Sequence, residues 1–176
     1  GKLPERKAVG FGGIDALVCN VSALAVGDNA ETWEKSFRVD MMHTVNAVTA
    51  AVPLLEKSSC ASIVLISSVS GFEVDFAAGS YGATKAALIH YAKGLSRQLV
   101  GKGIRVNCVS PGTIHTAFHE RHSDAAKREA ARKTIPQGRL GTADDCAGTF
   151  LYLASDAASG YLTGQVIEVN GGQLMP

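Results

Sequence analysis

The stretch Ser62-Ile63-Val64-Leu65-Ile66-Ser67 is a short apolar run with serine at both ends, and it predicts a strand buried on both faces. Similar apolar runs begin at Ala16-Leu17-Val18 and cover residues 104–109 and 165–169, so three further strands are predicted. Longer amphipathic segments separate these runs. Strands that alternate with helices indicate an α/β fold with a parallel sheet covered on both faces.

Three helices are predicted between and after these strands. Residues 30–55 form the first, and Pro53 is expected to end or kink it. Its apolar side chains recur at four-residue spacing, at Trp33, Phe37, Met41 and Val45. Residues 80–100 form the second helix. Residues 142–154 form the third, because they open with a Thr-x-x-Asp capping-box pattern.

Length and charge limit the class of protein. The chain has 176 residues, enough for one domain with a core, so residues 1–176 are taken as a single domain. A formal net charge of +1 does not favour binding to nucleic acid or to a membrane surface. No apolar run approaches the ~20 residues of a spanning helix, and residues 1–10 lack the apolar core of a signal peptide. The scattered cysteines are typical of a reduced, cytoplasmic protein without a zinc site.

Tyr81 and Lys85 are four residues apart on the second predicted helix, so they share one face. A free phenol has a pKa of about 10 and is a poor base at neutral pH. A nearby ammonium group favours the phenolate. The pair could therefore exchange a proton with a carbonyl or hydroxyl oxygen, although a packed tyrosine beside a solvated lysine would show the same spacing.

Two strand ends add polar groups to this pair. Ser68 follows the strand at 62–67, and Pro111-Gly112 follows the strand at 104–109. Ligands of open α/β sheets bind at the carboxyl ends of the strands. Both segments could equally be simple turns.

These motifs together resemble the short-chain dehydrogenase/reductase family. The matching parts are Ser-Ser-x-x-Gly at residues 67–71, Tyr-x-x-x-Lys at 81–85 and I-R-V-N-C-V-S-P-G at 104–112. Residues 138–141 and 164–172 also resemble the family, in particular members similar to 3-oxoacyl-carrier-protein reductase. The likeness runs from about Asp15 to the C-terminus. It implies a Rossmann-like, doubly wound parallel sheet.

The resemblance implies an NAD- or NADP-dependent oxidoreductase that interconverts a small secondary alcohol and a ketone. Tyr81 would be the general acid or base, Lys85 would assist it and bind the nicotinamide ribose, and Ser68 would hold the substrate oxygen. The segment that holds the nicotinamide carboxamide in the family is matched by Pro111, Gly112, Ile114 and Thr116. The likeness does not choose between NAD and NADP, or between acyl-carrier-protein, sugar and polyol substrates.

Residues 19–22 depart from the family pattern beside the cofactor. Cys19-Asn20-Val21-Ser22 stands where the family has Asn-Asn-Ala-Gly, next to the adenosine. Asn20, Val21 and Ser22 are still candidate cofactor contacts. Ser22, however, adds bulk where glycine allows a close backbone approach.

Asp40 is the second departure. It stands at the position of the asparagine that anchors a water in the family's proton relay. A carboxylate there could still bind water, with a changed proton affinity, and Asp40 is therefore included among the candidate catalytic residues. Alternatively, it is only a carboxylate on the face of a helix.

The family's first βαβ unit, with its glycine-rich phosphate-binding turn, has no counterpart in the sequence. Residues 1–9 resemble the lead-in to the family's first strand, and residues 10–15 resemble the approach to its fourth. The join at Val9–Gly10 therefore suggests missing residues: a disordered segment, a deletion, or a shortened homologue without cofactor binding. The open sheet edge would lie at residues 16–20.

The rival hypothesis is a non-catalytic interaction protein that keeps this fold and has lost cofactor binding.

His115, His119 and His122 have helical spacing, but a metal site is not expected. His119 or His122 could contact the substrate. The basic stretch at residues 127–133 reads as a solvated helix face. By family likeness, the helices at 30–55 and 80–100 should pair in a homodimer, within a homotetramer.

Overall fold

A computed structural model describes residues 12–25, 27–74, 79–116 and 124–175. The join at Val9–Gly10, together with His119 and His122, lies outside these ranges. The strands are β1 (Ala16–Cys19), β2 (Ser62–Ile66), β3 (Arg105–Pro111), β4 (Ile114–His115), β5 (Gly141–Thr142) and β6 (Val166–Val169). The helices are α1 (Ala30–Ser36), α2 (His43–Leu55), α3 (Ser80–Leu99), α4 (Ala125–Thr134), α5 (Ala143–Ala154) and α6 (Asp156–Ser159).

The described sheet is parallel, with the strand order β1-β2-β3-β6. Its register places Ala16 opposite Ser62, Ser62 opposite Arg105, and Cys108 opposite Val166. Within the described residues, β1 pairs on one side only, so the sheet begins at the strand where an open edge was expected. A second, two-stranded pair joins β4 to β5.

Apolar side chains cover both faces of this sheet. On one face, α2 and α3 pack Leu55 and Leu95 against Ile63 and Val106. On the other face, Leu153 of α5 packs with Val64 and Val109, and Phe150 adds to this cluster. Helices on both faces confirm the predicted doubly wound α/β architecture.

The single helix predicted at residues 30–55 is divided into three parts. α1 and α2 are separated by a π-helical segment, Phe37–Met42, whose wider turn carries one more residue than an α-turn. Pro53, which was expected to end or kink the helix, does not end it, because α2 continues to Leu55, the predicted last residue. Pro53 lies in the last turn, so its missing N–H removes at most one hydrogen bond of the ladder.

The apolar residues that predicted this helix are not the ones that face the core. Trp33 and Phe37 are 43% and 57% exposed. The buried face is formed instead by the residues Ser36, Asp40, Thr44, Val48, Ala51 and Leu55. An outward-facing apolar stripe is therefore left without a partner in the described part of the chain.

The third strand extends further than predicted. β3 runs through Pro111, which pairs with Val169, instead of stopping before Pro111-Gly112. The ladder to β2 already ends where Ile66 meets Val109. Proline is tolerated at the final position because no β2 partner needs its N–H there.

The helix predicted at residues 142–154 has the expected capping box. Thr142 accepts a hydrogen bond from the Asp145 N–H, and the Asp145 carboxylate accepts one from the Thr142 N–H. In the described part of the chain, no helix is both long and apolar enough to span a bilayer.

Candidate active site

A cavity of about 440 Å³ lies at the carboxyl ends of β1, β2 and β3. Asn20 follows β1, Ser68 follows β2, and Gly112 follows β3, while α3 brings Tyr81 and Lys85 to the same space. The predicted site residues that line it are Asn20, Ser22, Ser68, Tyr81, Lys85, Pro111, Gly112, Ile114 and Thr116. The cavity is therefore formed from segments that are far apart in sequence.

Two of the predicted site residues do not line this cavity. Val21 is 51% exposed, so its side chain projects to the surface. Asp40 is fully buried behind the cavity, against Lys85. Asp40 lies on the buried face of the π-helical segment, and its side chain has no exposed surface.

Lys85 is held by groups from three elements. Its Nζ donates a hydrogen bond of 3.0 Å to the Ile66 carbonyl at the end of β2. The same Nζ lies 5.6 Å from the centre of the Tyr81 ring and 3.8 Å from Asp40 Oδ1. Burial lowers the pKa of Lys85 below its ordinary value, and the negative charge of Asp40 opposes that change.

Packing between the end of β2 and α3 positions Ser68 relative to Lys85. Ser67 Oγ donates to the Lys85 carbonyl at 2.8 Å. Ser68 Oγ accepts from the Ser70 N–H at 3.2 Å, which closes the turn after β2. A Cβ on Gly71 would lie 2.8 Å from Ser67 Oγ and 2.9 Å from the Lys85 carbonyl carbon, so this turn packs directly on the helix backbone.

The segment after β3 is held by the C-terminal part of the chain. The Gly112 N–H donates to the Val169 carbonyl at 2.9 Å, and the Thr113 N–H donates to Gln173 Oε1 at 3.0 Å. A Cβ on Gly112 would lie 2.7 Å from Asn170 Cβ. Glycine is therefore needed here for a close approach between two segments.

One wall of the cavity was missed by sequence reasoning. The missed lining residues are Val18, Ile66, Ser67, Ala143, Cys146 and Phe150. Three of them come from α5, which is distant in sequence from the motifs at residues 67–71, 81–85 and 104–112. Their spacing of three and four residues places them on one helix face, and that spacing was the available signal.

Of the three histidines with helical spacing, His115, His119 and His122, the structure describes one. His115 is exposed in β4, and its two companions lie outside the described ranges. In the part of the chain that the structure covers, no group of three or more metal-ligating side chains occurs. The absence of a metal site stays a prediction.

The amino-acid sequence is similar to known proteins over most of its length. The family whose sequence model matches residues 3–173 is described as enoyl-(acyl carrier protein) reductase. The 3-oxoacyl-[acyl-carrier-protein] reductase of Thermotoga maritima is 38% identical over 96% of this chain and 69% of its own. The dehydrogenase/reductase SDR family member 4 of Sus scrofa is 36% identical over 92% of this chain and 60% of its own. This chain belongs to the short-chain dehydrogenase/reductase family.

Solved structures of the short-chain dehydrogenase/reductase family agree with this assignment. A glucose/ribitol dehydrogenase from Brucella melitensis has a TM-score of 0.89 and 31% identity, over 99% of this chain and 71% of its own. ElxO, solved with NADP bound, has a TM-score of 0.87 and 28% identity, over 96% of this chain and 71% of its own. The predicted family and Rossmann-like fold are confirmed.

This family consists of oxidoreductases that use nicotinamide cofactors, and the chain falls in that class of enzyme. It spans 69% and 60% of the lengths of the two curated relatives named above.

Proposed function

We propose that this protein interconverts a secondary alcohol and a ketone with NAD or NADP. One observation carries the proposal: Ser68, Tyr81 and Lys85 line the same cavity as the strand-end residues Asn20 and Gly112. A hydroxyl after β2, combined with a phenol and a buried ammonium group on α3, has no evident role in the packing of the sheet. It suits proton transfer at an oxygen.

The residues present fit the nicotinamide end of such a cofactor. Lys85 would bind the ribose, and the carboxamide would be held by Pro111, Gly112, Ile114 and Thr116. Asn20 and Ser22 line the cavity on the side of β1, where the adenosine half would begin, and Val21 lies beside them. When bound, the cofactor supplies the hydride for reduction or accepts it in oxidation.

The chain's own residues would manage the proton. In reduction, the Tyr81 hydroxyl donates its proton to the substrate oxygen, and the carbonyl carbon gains the hydride. The two hydrogens that the ketone gains thus come from Tyr81 and from the cofactor. In oxidation, the ionised phenol takes that proton back. Ser68 Oγ donates a hydrogen bond to the same oxygen, and Lys85 stabilises the phenolate.

Relatives suggest the wider setting of this activity. ElxO is solved with NADP bound, and another neighbour is an NADH-dependent reductase of alginate metabolism, so neither cofactor is favoured. A small alcohol or ketone, resembling a 3-oxoacyl or a sugar group, is the proposed substrate.

We also propose a homodimer or homotetramer in the cytoplasm, a location that the four unpaired cysteines favour.

Replacement of the phenol tests the mechanism. Tyr81→Phe should lower kcat by about 10²- to 10⁴-fold, because general acid–base catalysis contributes roughly that much. Ketone reduction would be followed with NADH and with NADPH over a panel of acyl and sugar-like substrates. Tyr161→Phe is the matched control, since Tyr161 is fully exposed and away from the cavity. Wild-type turnover by Tyr81→Phe would refute the assigned mechanism.

The second candidate is a non-catalytic interaction protein of the same fold. It is favoured by the sequence, which contains no glycine-rich phosphate-binding turn, and by Ser22 beside the cofactor cavity. Fluorescence titration with NADH and NADPH separates the two, using protein whose intact mass has been measured. Binding of neither cofactor to a chain of the expected mass would reject the enzyme proposal.

A further inference from the structure

We infer that Asp40 is a positioning residue that supplies the counter-charge of Lys85 and thereby sets the pH range in which Tyr81 can act as a base. The inference rests on the proposed oxidoreductase activity and deepens it. It differs from the water-anchoring role expected from the family, because here the carboxylate acts through its charge on the lysine.

The first step is the buried ion pair. Asp40 Oδ1 lies 3.8 Å from Lys85 Nζ, and the two side chains are 0% and 4% exposed. That distance is too long for a direct hydrogen bond, and Oδ1 has no hydrogen-bond partner among the described residues. A buried carboxylate oxygen without a hydrogen bond is costly, so the charge of Lys85 is what stabilises it there.

The second step is the link to the cofactor side of the cavity. Asp40 Oδ2 accepts a hydrogen bond of 3.2 Å from the Ala23 N–H, just after the lining residues Asn20 and Ser22. The Asp40 carbonyl accepts from Thr44 Oγ1 at 2.9 Å. One carboxylate therefore joins the loop after β1 to the ammonium group on α3.

The charged and titratable groups around Lys85 come from each packed element. Tyr81 lies on the same helix, the Ile66 carbonyl belongs to β2, Cys108 belongs to β3, and Asp40 belongs to the π-helical segment. Burial raises the pKa of the Cys108 thiol to about 12, so it is uncharged near neutral pH. Asp40 is thus the carboxyl group among these, and it is the one that can supply a counter-charge to Lys85.

The consequence for Tyr81 follows from counting charge. Asp40 and Lys85 together are neutral, so ionisation of the phenol leaves a net negative charge in a buried site. With an uncharged side chain at position 40, the same ionisation would instead neutralise the lysine. While Lys85 keeps its proton, removing the charge of Asp40 should therefore make Tyr81 ionise at lower pH, by about one unit.

Asp40→Asn is the direct test, because its amide oxygen can still accept from the Ala23 N–H while the charge is lost. We would measure kcat and KM for alcohol oxidation and ketone reduction from pH 5 to 10, using roughly half-unit steps. The acid limb of the oxidation profile should move down by about one pH unit, and Asp40→Glu should restore it towards wild type. Glu34→Gln, an exposed position on α1, should leave the profile unchanged.

A double-mutant cycle of thermal stability tests the pairing of Asp40 with Lys85 even when no enzymatic activity is detected. Asp40→Asn leaves Lys85 buried and unpaired, whereas the double variant Asp40→Asn/Lys85→Met removes both charges. The double variant should therefore melt at a higher temperature than Asp40→Asn, or fold where Asp40→Asn does not. A double variant that is no more stable than Asp40→Asn would overturn the pairing.

The outcomes separate the two proposals. An unmoved acid limb in a folded Asp40→Asn enzyme overturns the inference while leaving the oxidoreductase proposal intact. Absence of turnover in the wild-type protein removes that proposal, and the stability cycle still decides whether Asp40 and Lys85 pair.

Discussion

Cys19 at the end of β1 and Cys108 in β3 are single residues whose burial can be detected in solution. Burial raises the pKa of each thiol from its ordinary 9.0 to about 12. Between pH 9 and about 12, both thiols have lost their protons in the unfolded chain and kept them in the folded chain. Deprotonation therefore favours the unfolded state, and the thiol contribution to stability is complete below pH 9 and lost progressively above it.

We accordingly expect the free energy of unfolding to fall as pH rises from about 9 towards 12. Urea unfolding monitored by circular dichroism at several pH values measures this. Cys19→Ala should make the decline shallower, although burial of Tyr91 also raises its pKa and leaves part of the slope. Cys60→Ala, at a partly exposed position, is the control. An unchanged slope in Cys19→Ala would contradict the assignment.

Individual site residues could be predicted from sequence where the backbone alone determines their placement. Tyr81 and Lys85 share a helix face at four-residue spacing, and Ser68 follows a strand, so short-range geometry brings each to the cavity. The partner of Asp40 could not be found in this way. Its contact with Lys85 depends on how two helices pack on one sheet, which no local pattern encodes.

The contact between the turn after β2 and α3 is the element-level feature on which the site geometry depends. Gly71 touches the α3 backbone at Lys85 and Ala86, where a Cβ would lie 2.9–3.0 Å from main-chain atoms. Gly71→Ala should push the turn away from α3 and separate Ser68 from Lys85. We expect a loss of about 1–3 kcal/mol in unfolding free energy, with a fall in kcat.

Thermal and urea unfolding, combined with turnover of the best ketone, would test this change. Gly148→Ala is the matched control, since a Cβ at this position of α5 meets nothing within 4 Å. That control should be neutral or stabilise the protein by up to about 1 kcal/mol, because alanine favours a helix interior. Equal behaviour of the two variants would show that the turn does not depend on close packing.

Element types could largely be predicted, and the departures have local causes. Apolar runs predicted the main strands, and the Thr142–Asp145 pattern predicted the start of α5, since both depend on neighbouring residues. The π-helical segment Phe37–Met42 was not predicted. The buried face here is formed by the polar residues Ser36 and Asp40, whereas Phe37 is exposed, and hydrophobic spacing alone does not reveal such a face.

Across the whole molecule, the exposed apolar stripe on α1 and the π-helical segment lies close to α3. Trp33 and Phe37 are substantially exposed, while α3 presents the small side chains of Ala86 and Ala87 to solvent. Exposed apolar side chains on neighbouring helices are typical of an interaction surface. These are the helices expected to pair between subunits, and pairing of this face with its copy would give a two-fold dimer.

Phe37→Glu would place a charge in the middle of that stripe and should shift a dimer or tetramer towards smaller species. Sedimentation velocity at several protein concentrations measures the change directly. Val74→Glu is the control, because Val74 is 90% exposed and lies outside both helices that are expected to pair. The charge should weaken association at least tenfold, since burying an unpaired carboxylate costs several kcal/mol. A monomeric wild type, or a Phe37→Glu protein that assembles as tightly as wild type, would rule out this face as the interface.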